Sequence, residues 1–474
     1  MKLINMVIVL SILLAIVGGG LAAKNGPWDG RTGANITLDN AYVKGALAGI
    51  ATNDVSNMGQ LWMKVNKSGD TMTGALNVVN GTGQAAVSYA QLWDNRDFTV
   101  SYDGIIKQKS STFYGINGAG TVISSGMDFG TVFNTLVDSL RTGQSCPATI
   151  AIDCPSVTNT STCYLYSEMN VVGIGRPHIS TAIDRPIFKS NASNYHSGFA
   201  LRGLYLRFTG AGHYTSRHIE IYNASYNYID EIYTMMPNTH YDDTNHGGIL
   251  FDGTSGTTWL NYITNSHISQ VTIRNSTDNW IDKCSIVNWE MTNHAILLIG
   301  TCNNAKITEN HIICPSGAVS PAGIYTDSAQ FGIQVLGNWF EPQDAWSSGE
   351  FQGGIFSNGL WTFCDVSNNH FNSLGGAGLN FNGGFSYGTI NRNNFYNVNL
   401  ANNVGFRCIS FGSGAYNSIS NNVAYANGQT TKASFCWGSD YSSYSANVIN
   451  GDFSDDINPI GTGSKENGTI SVLH

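Results

Sequence analysis

A six-residue pattern recurs along the second half of the chain: apolar, two variable residues, usually Asn, one variable residue, apolar. It runs through 263–268, 281–286, 307–312, 335–340, 366–371, 390–395, 419–424 and 448–453, with start-to-start steps of 18, 26, 28, 31, 24, 29 and 29 residues. Steps near 25 residues with loops of variable length are what the coils of a parallel β-solenoid require. A second strand signal is interleaved at Gly248-Ile249, Ala295-Ile296, Gly323-Ile324, Gly354-Ile355 and Gly378-Leu379. Two strand signals per repeat exclude a plain helical repeat and disfavour an immunoglobulin-like sandwich. The fourth position holds Asn310, Asn338, Asn369, Asn393 and Asn422. On stacked coils these amides would lie about 4.8 Å apart, each donating to and accepting from its neighbours.

Composition agrees. Charged residues make up 12% of the chain and Gly accounts for 54 of 474 residues, where a typical domain has roughly 25% charge and 7% Gly. Such a chain is neither a coiled coil nor a long-helix protein. The net charge of −9 argues against nucleic acid as a partner, because neutralising phosphates takes Lys and Arg.

The first residues point to export. Lys2 precedes an almost wholly apolar run from Ile4 to Val17, and Gly18 to Ala23 supplies small residues for cleavage. Residues 1–23 read as a signal peptide or an N-terminal anchor, since 4–23 could just span a bilayer. Nine cysteines are an odd number, and none shows CxxC spacing, so no zinc site is expected. Cys146, Cys154 and Cys163 are close enough in sequence for a local bridge. Eight sequons are compatible with a glycosylated exterior.

Residues 24–110 read as a stalk-like attachment or oligomerisation segment. They contain Gly69-Asp70-Thr71-Met72-Thr73-Gly74-Ala75-Leu76, which resembles the GDTMTG-x-L signature of phage tail fibres and implies a homo-trimer or other homo-oligomer. Ahead of the repeats, Val132, Phe133, Leu136, Val137 and Leu140 share one helical face. Asp128 is placed to cap this helix, about 128–141, and Gly143 to end it. Its apolar face suits the open end of a solenoid.

The helix, Ala148 to Asp153, Val171 to Gly175 and the repeats together resemble the pectate-lyase-like right-handed β-helix superfamily. The resemblance implies an all-β fold, a right-handed single-stranded parallel β-helix over 111–460, with 461–474 as a C-terminal tail. The superfamily includes polysaccharide lyases, hydrolases, tailspikes and non-catalytic surface proteins, so the fold does not fix the activity.

Asp242-Asp243 followed by His246-Gly247 is a compressed echo of the polygalacturonase-like motifs, but an Arg-x-Lys and a separate Asn-Thr-Asp are missing. A lyase would need Ca²⁺, for which Asp242, Asp243 and Asp252 could supply oxygens, and a basic arginine, of which Arg274 is the nearest downstream. No cofactor is otherwise expected. Asp242, Asp243, His246 and Asp252 are thus the candidate catalytic residues. Paired carboxylates that cleave a glycosidic bond sit about 5–10 Å apart with one pKa raised. Asp230, Glu231, Glu290 and Asp327 complete the acidic candidates, Asp327 at the same offset after its strand as Asp252.

The fifth motif position lies between inward-facing residues and should face outward. It reads His267, Ser285, His311, Trp339, His370 and Asn394, with Trp339 one coil from both His311 and His370. An indole flanked by imidazoles on a flat β face suits contact with a sugar ring, so His267, His311, Trp339 and His370 are the candidate glycan-binding residues. Lateral loops at Tyr233–Thr244 and Glu341–Phe351 should wall the groove. The expected function is an exported, surface or virion-associated protein that recognises glycans. The alternatives are a secreted polysaccharide lyase or hydrolase and a self-associating structural protein.

Overall fold

A computed structural model describes residues 102–472 apart from 191–193, 211–213, 237–246, 257, 288–293, 315–321, 343–352, 399, 401–406, 426–439, 451–463 and 468–469, together with the backbone of 76–80 and 83–87. The chain divides into two compact units, 1–100 and 101–474. In the first, Leu76–Asn80 pairs antiparallel with Gly83–Val87; the GDTMTG string and the apolar leader lie outside the described residues.

The second unit is a parallel solenoid with three strands per full coil. One coil runs through Tyr262–Thr264, His267–Ile268 and Val271–Arg274 before the next begins at Trp280–Asp282. Stacking these strands gives three sheets, here A, B and C in that order along a coil, with 16, 13 and 10 strands among the described residues. The six-residue motif is therefore not one strand. Its first apolar residue lies on sheet A and its last on sheet B, with a tight turn between them.

The third motif position makes that turn. Glu231, Asn265, Lys283, Glu309, Gly337, Asn368, Arg392, Asn421 and Ala446 all have φ between +48° and +68°. The fourth position then closes it with the expected amide ladder. Asn310 donates from both N–H and Nδ2 to Asn338 Oδ1, each at 2.9 Å. The same pair of hydrogen bonds runs from Asn338 to Asn369, Asn369 to Asn393, Asn393 to Asn422 and Asn422 to Asn447. Each Nδ2 also donates to a main-chain carbonyl one coil back, such as Ile307 O from Asn338 at 2.8 Å. Asn447 shows that the last repeat is Tyr444–Ile449 rather than 448–453. A second ladder, Asn227 to Asn261 to Asn279, sits at the turn between sheets C and A.

The interior is a continuous column of Ile, Val, Leu and Phe, with Phe340, Phe371 and Phe395 stacked at 4.7 and 5.0 Å. At its start lies helix α1, Phe129–Leu140, whose N-cap Asp128 accepts from Thr131 N. Phe129, Val132, Phe133, Leu136 and Val137 are buried, and Phe133 meets Phe188 edge-on at 5.9 Å. The helix ends at Leu140, with Arg141 as its C-cap; Gly143 lies two residues further on, in a left-handed turn.

Three sequence expectations are corrected. Gly104–Lys109 pairs with Thr149–Asp153, so the solenoid unit begins before residue 110. Lys465–Asn467 and Ile470–Val472 continue sheets A and B rather than forming a tail. Cys146, Cys154 and Cys163 are unbridged, like the other five described cysteines, and all eight are buried. Placed at inward positions of different turns, they act as small apolar side chains. No helix among the described residues is long and apolar enough to cross a membrane.

Candidate functional site

The alternation of each strand on sheet B sends Ile268, Ile286, Ile312, Phe340 and Phe371 into the core. Their predecessors must then face out, and registers of His267 to Ser285, Ser285 to His311, His311 to Trp339 and Trp339 to His370 put the expected residues in one line. The line also extends further back than the motif search reached. His178, Tyr205, Tyr233 and His267 are stacked face to face at 4.3, 4.7 and 4.3 Å. The signal was present in Leu201-Arg-Gly-Leu-Tyr205-Leu206 and Ile229-Asp-Glu-Ile-Tyr233-Thr234, which keep the spacing but lack the Asn.

Trp339 is 44% exposed, and His370 covers one of its faces at 4.0 Å. Its Nε1–H donates to Glu341 Oε2 at 3.0 Å, while His311 Nε2 pairs with Glu341 Oε1 at 2.8 Å. Glu341 thus ties the two rings together, a role the sequence did not signal; Trp339–Pro342 is strand, so Glu341 opens no loop there. Burial holds the His370 imidazole below its ordinary pKa, and burial with a smaller contribution from His311 does the same for His267.

The line is broken once, at Ser285. There a cleft of about 390 Å³ opens, lined by Tyr233, His267, Ser285 and, from the neighbouring turns, Arg176, Glu231 and Lys283.

Of the candidate catalytic and acidic residues, Asp242, Asp243, His246 and Glu290 lie outside the described residues. Asp252 lies on sheet C, where its Oδ2 takes Arg274 Nη1 at 3.2 Å and its Oδ1 accepts from Thr254 N at 2.8 Å. With both oxygens engaged and a guanidinium beside it, Asp252 does not fit a Ca²⁺ ligand here. Asp327 falls in the same column, two coils beyond Arg274, as its offset implied. On the same face, Glu220 Oε2 accepts from Tyr222 Oη at 3.0 Å and pairs with Lys189 Nζ at 3.3 Å. Tyr222 is paired in register with Asp252. Burial first, then the Glu220 and Asp252 carboxylates, push the Tyr222 phenol far above its ordinary range. Arg217 is buried at the edge of this group, held by Thr272 Oγ1 at 2.9 Å and pulled by burial down to about 9. Aligning Ile219–Tyr222, Ile249–Asp252 and Val271–Arg274 as one column would have found these residues.

A different edge carries an aromatic ladder that the sequence did not disclose. Phe363, Tyr387, Tyr416 and Tyr441 stack at 5.3, 5.0 and 5.2 Å, each more than half exposed and each at positive φ.

No family model matches the chain, and no curated protein matches it. Among solved structures it is similar to the A-module of the mannuronan C-5 epimerase AlgE6 of Azotobacter vinelandii, at 12% identity and a TM-score of 0.40 over 73% of this chain and 95% of that one. It is also similar to the Dettilon tailspike protein, at 12% identity and a TM-score of 0.45 over 73% of this chain and 65% of the tailspike. A third is PfbA, a surface adhesin of Streptococcus pneumoniae, at 10% identity and a TM-score of 0.40 over 73% and 87%. These likenesses concern the fold alone. Three parallel sheets, a two-residue turn and an internal amide ladder make the chain a three-sheet parallel β-solenoid.

Proposed function

We propose that the protein recognises a glycan through the outward rings of sheet B, and that it does so as a surface- or virion-associated protein. The observation that carries this reading is the line of rings from His178 to His370 on the outer face of sheet B, interrupted at Ser285. Rings on a flat scaffold offer apolar contact to sugar C–H groups, and their N–H and O–H edges meet hydroxyls. The test is binding of the full chain to defined oligosaccharides. Replacing His311, Trp339 and His370 together by Ala is expected to weaken binding about tenfold or more, the equivalent of one or two ring contacts. Unchanged affinity would contradict the reading.

A second reading, a polysaccharide lyase or hydrolase, is favoured by one observation: Glu220 and Asp252 both lie beside Tyr222 on the outer face of sheet C. Release of reducing ends or unsaturated products, lost in Glu220→Gln and Asp252→Asn, would support it; no product from any bound glycan would exclude it. Homo-oligomerisation through the segment ahead of the solenoid unit belongs to either reading, and sizing the protein with and without residues 24–100 tests it.

A further inference from the structure

The break in the ring line at Ser285 has dimensions of its own. The rings that stack within the line sit 4.0–4.7 Å apart, one per coil. His267 and His311 are two coils apart, so about 9.6 Å of sheet separates them, with only a serine side chain in that interval. One face of His267 stacks on Tyr233; the other looks across Ser285. A single flat ring inserted there would lie at the spacing the line already uses. The cleft borders His267 and Ser285 and runs back along the turns between sheets A and B past Tyr233 and Glu231. Its rim is polar, with Glu231 as an acceptor, Lys283 and Arg176 as donors, and Asn265 as both.

We infer that the gap above Ser285, between His267 and His311, is the seat of one pyranose ring of the bound glycan. The inference rests on the glycan-binding reading above and adds the position and the unit bound. One sugar face stacks on His267, and its hydroxyls reach Glu231, Asn265 and Lys283. An alternative occupant, an aromatic side chain of a protein partner, would leave the mixed acceptor and donor rim without a use.

The experiment titrates the full chain with free oligosaccharides of neutral hexoses and of hexuronates. Ser285→Tyr places a ring in the gap and continues the stack, so the variant is expected to fold with an unchanged or raised Tm. Its affinity is expected to fall about tenfold or more, the loss of a ring contact and its polar partners. His267→Ala is expected to lose affinity as well. If Ser285→Tyr binds like the wild type while the triple ring variant fails, the seat is wrong and the glycan reading stands. If the wild-type chain binds none of the oligosaccharides, both are overturned.

Discussion

Asn369 joins three coils through its side chain and one backbone N–H. It accepts from Asn338 N and Nδ2, and donates to Val335 O and to Asn393 Oδ1. All of these groups are buried, so Asn369→Ala leaves several of them unpaired at about 1–3 kcal/mol each. A loss of about 3 kcal/mol or more in urea-unfolding free energy is expected, and a loss below 1 kcal/mol would argue against the ladder. His218 is a second residue whose state is fixed by its bonds. Gly248 N–H donates to its Nδ1 and its Nε2–H meets Met235 O, so the ring is neutral. Burial pulls it from 6.5 down to about 3. Between these values the unfolded chain takes up a proton that the folded chain refuses. Stability is therefore full above pH 6.5 and falls with decreasing pH, by about 1.4 kcal/mol per unit for this group. Unfolding free energies from pH 7 to 4 should show that slope, and His218→Gln should flatten it.

At the scale of elements, the repeat and the amide ladder were legible because apolar residues five apart and a fixed Asn survive any loop length. The division into sheets was less so. Strands of two to four residues, such as His267–Ile268 or Trp280–Asp282, are too short to display a period of two. The left-handed turn residue also hides among Glu, Lys, Arg and Ala as readily as Asn and Gly. For the same reason Asp252 and Arg274 could be noted as candidates but not paired. Pairing needs the coil-to-coil register, which also brings in Lys189, Glu220 and Tyr222. Helix α1 was legible from its apolar face and N-cap, but its end at Leu140, ahead of Gly143, was not. Its close seating was not: a Cβ on Gly130 would collide with Ser161 O, while Gly130 N donates to Asn159 Oδ1 at 3.0 Å. Gly130→Ala, which ordinarily favours a helix, is here expected to lower Tm. A raised Tm would show that the helix sits elsewhere.

For the whole molecule, low charge and abundant Asn and Gly follow from the architecture. Turns recur on every coil, and from Asn310 to Asn447 amides close the A–B turns from inside. The cysteines belong to the same account. Burial raises the thiols of Cys146 to about 11 and of Cys154, Cys284, Cys302 and Cys364 to about 12, so at neutral pH they are protonated and poorly nucleophilic. Adding a reductant should leave Tm unchanged, and these thiols should react with a thiol reagent only on unfolding. Among the exposed ring systems of the described residues, the sheet B line and the Phe363–Tyr441 ladder are not equivalent. The Phe363–Tyr441 rings turn their faces to one another with interplanar angles of 12–21°, whereas the sheet B line contains a gap. The most direct measurement is a calorimetric titration of one bound oligosaccharide against two full-length variants. In one, His267, His311, Trp339 and His370 are Ala; in the other, Tyr387, Tyr416 and Tyr441 are Ala. Binding lost in the first and kept in the second is the predicted result, and the reverse would contradict it.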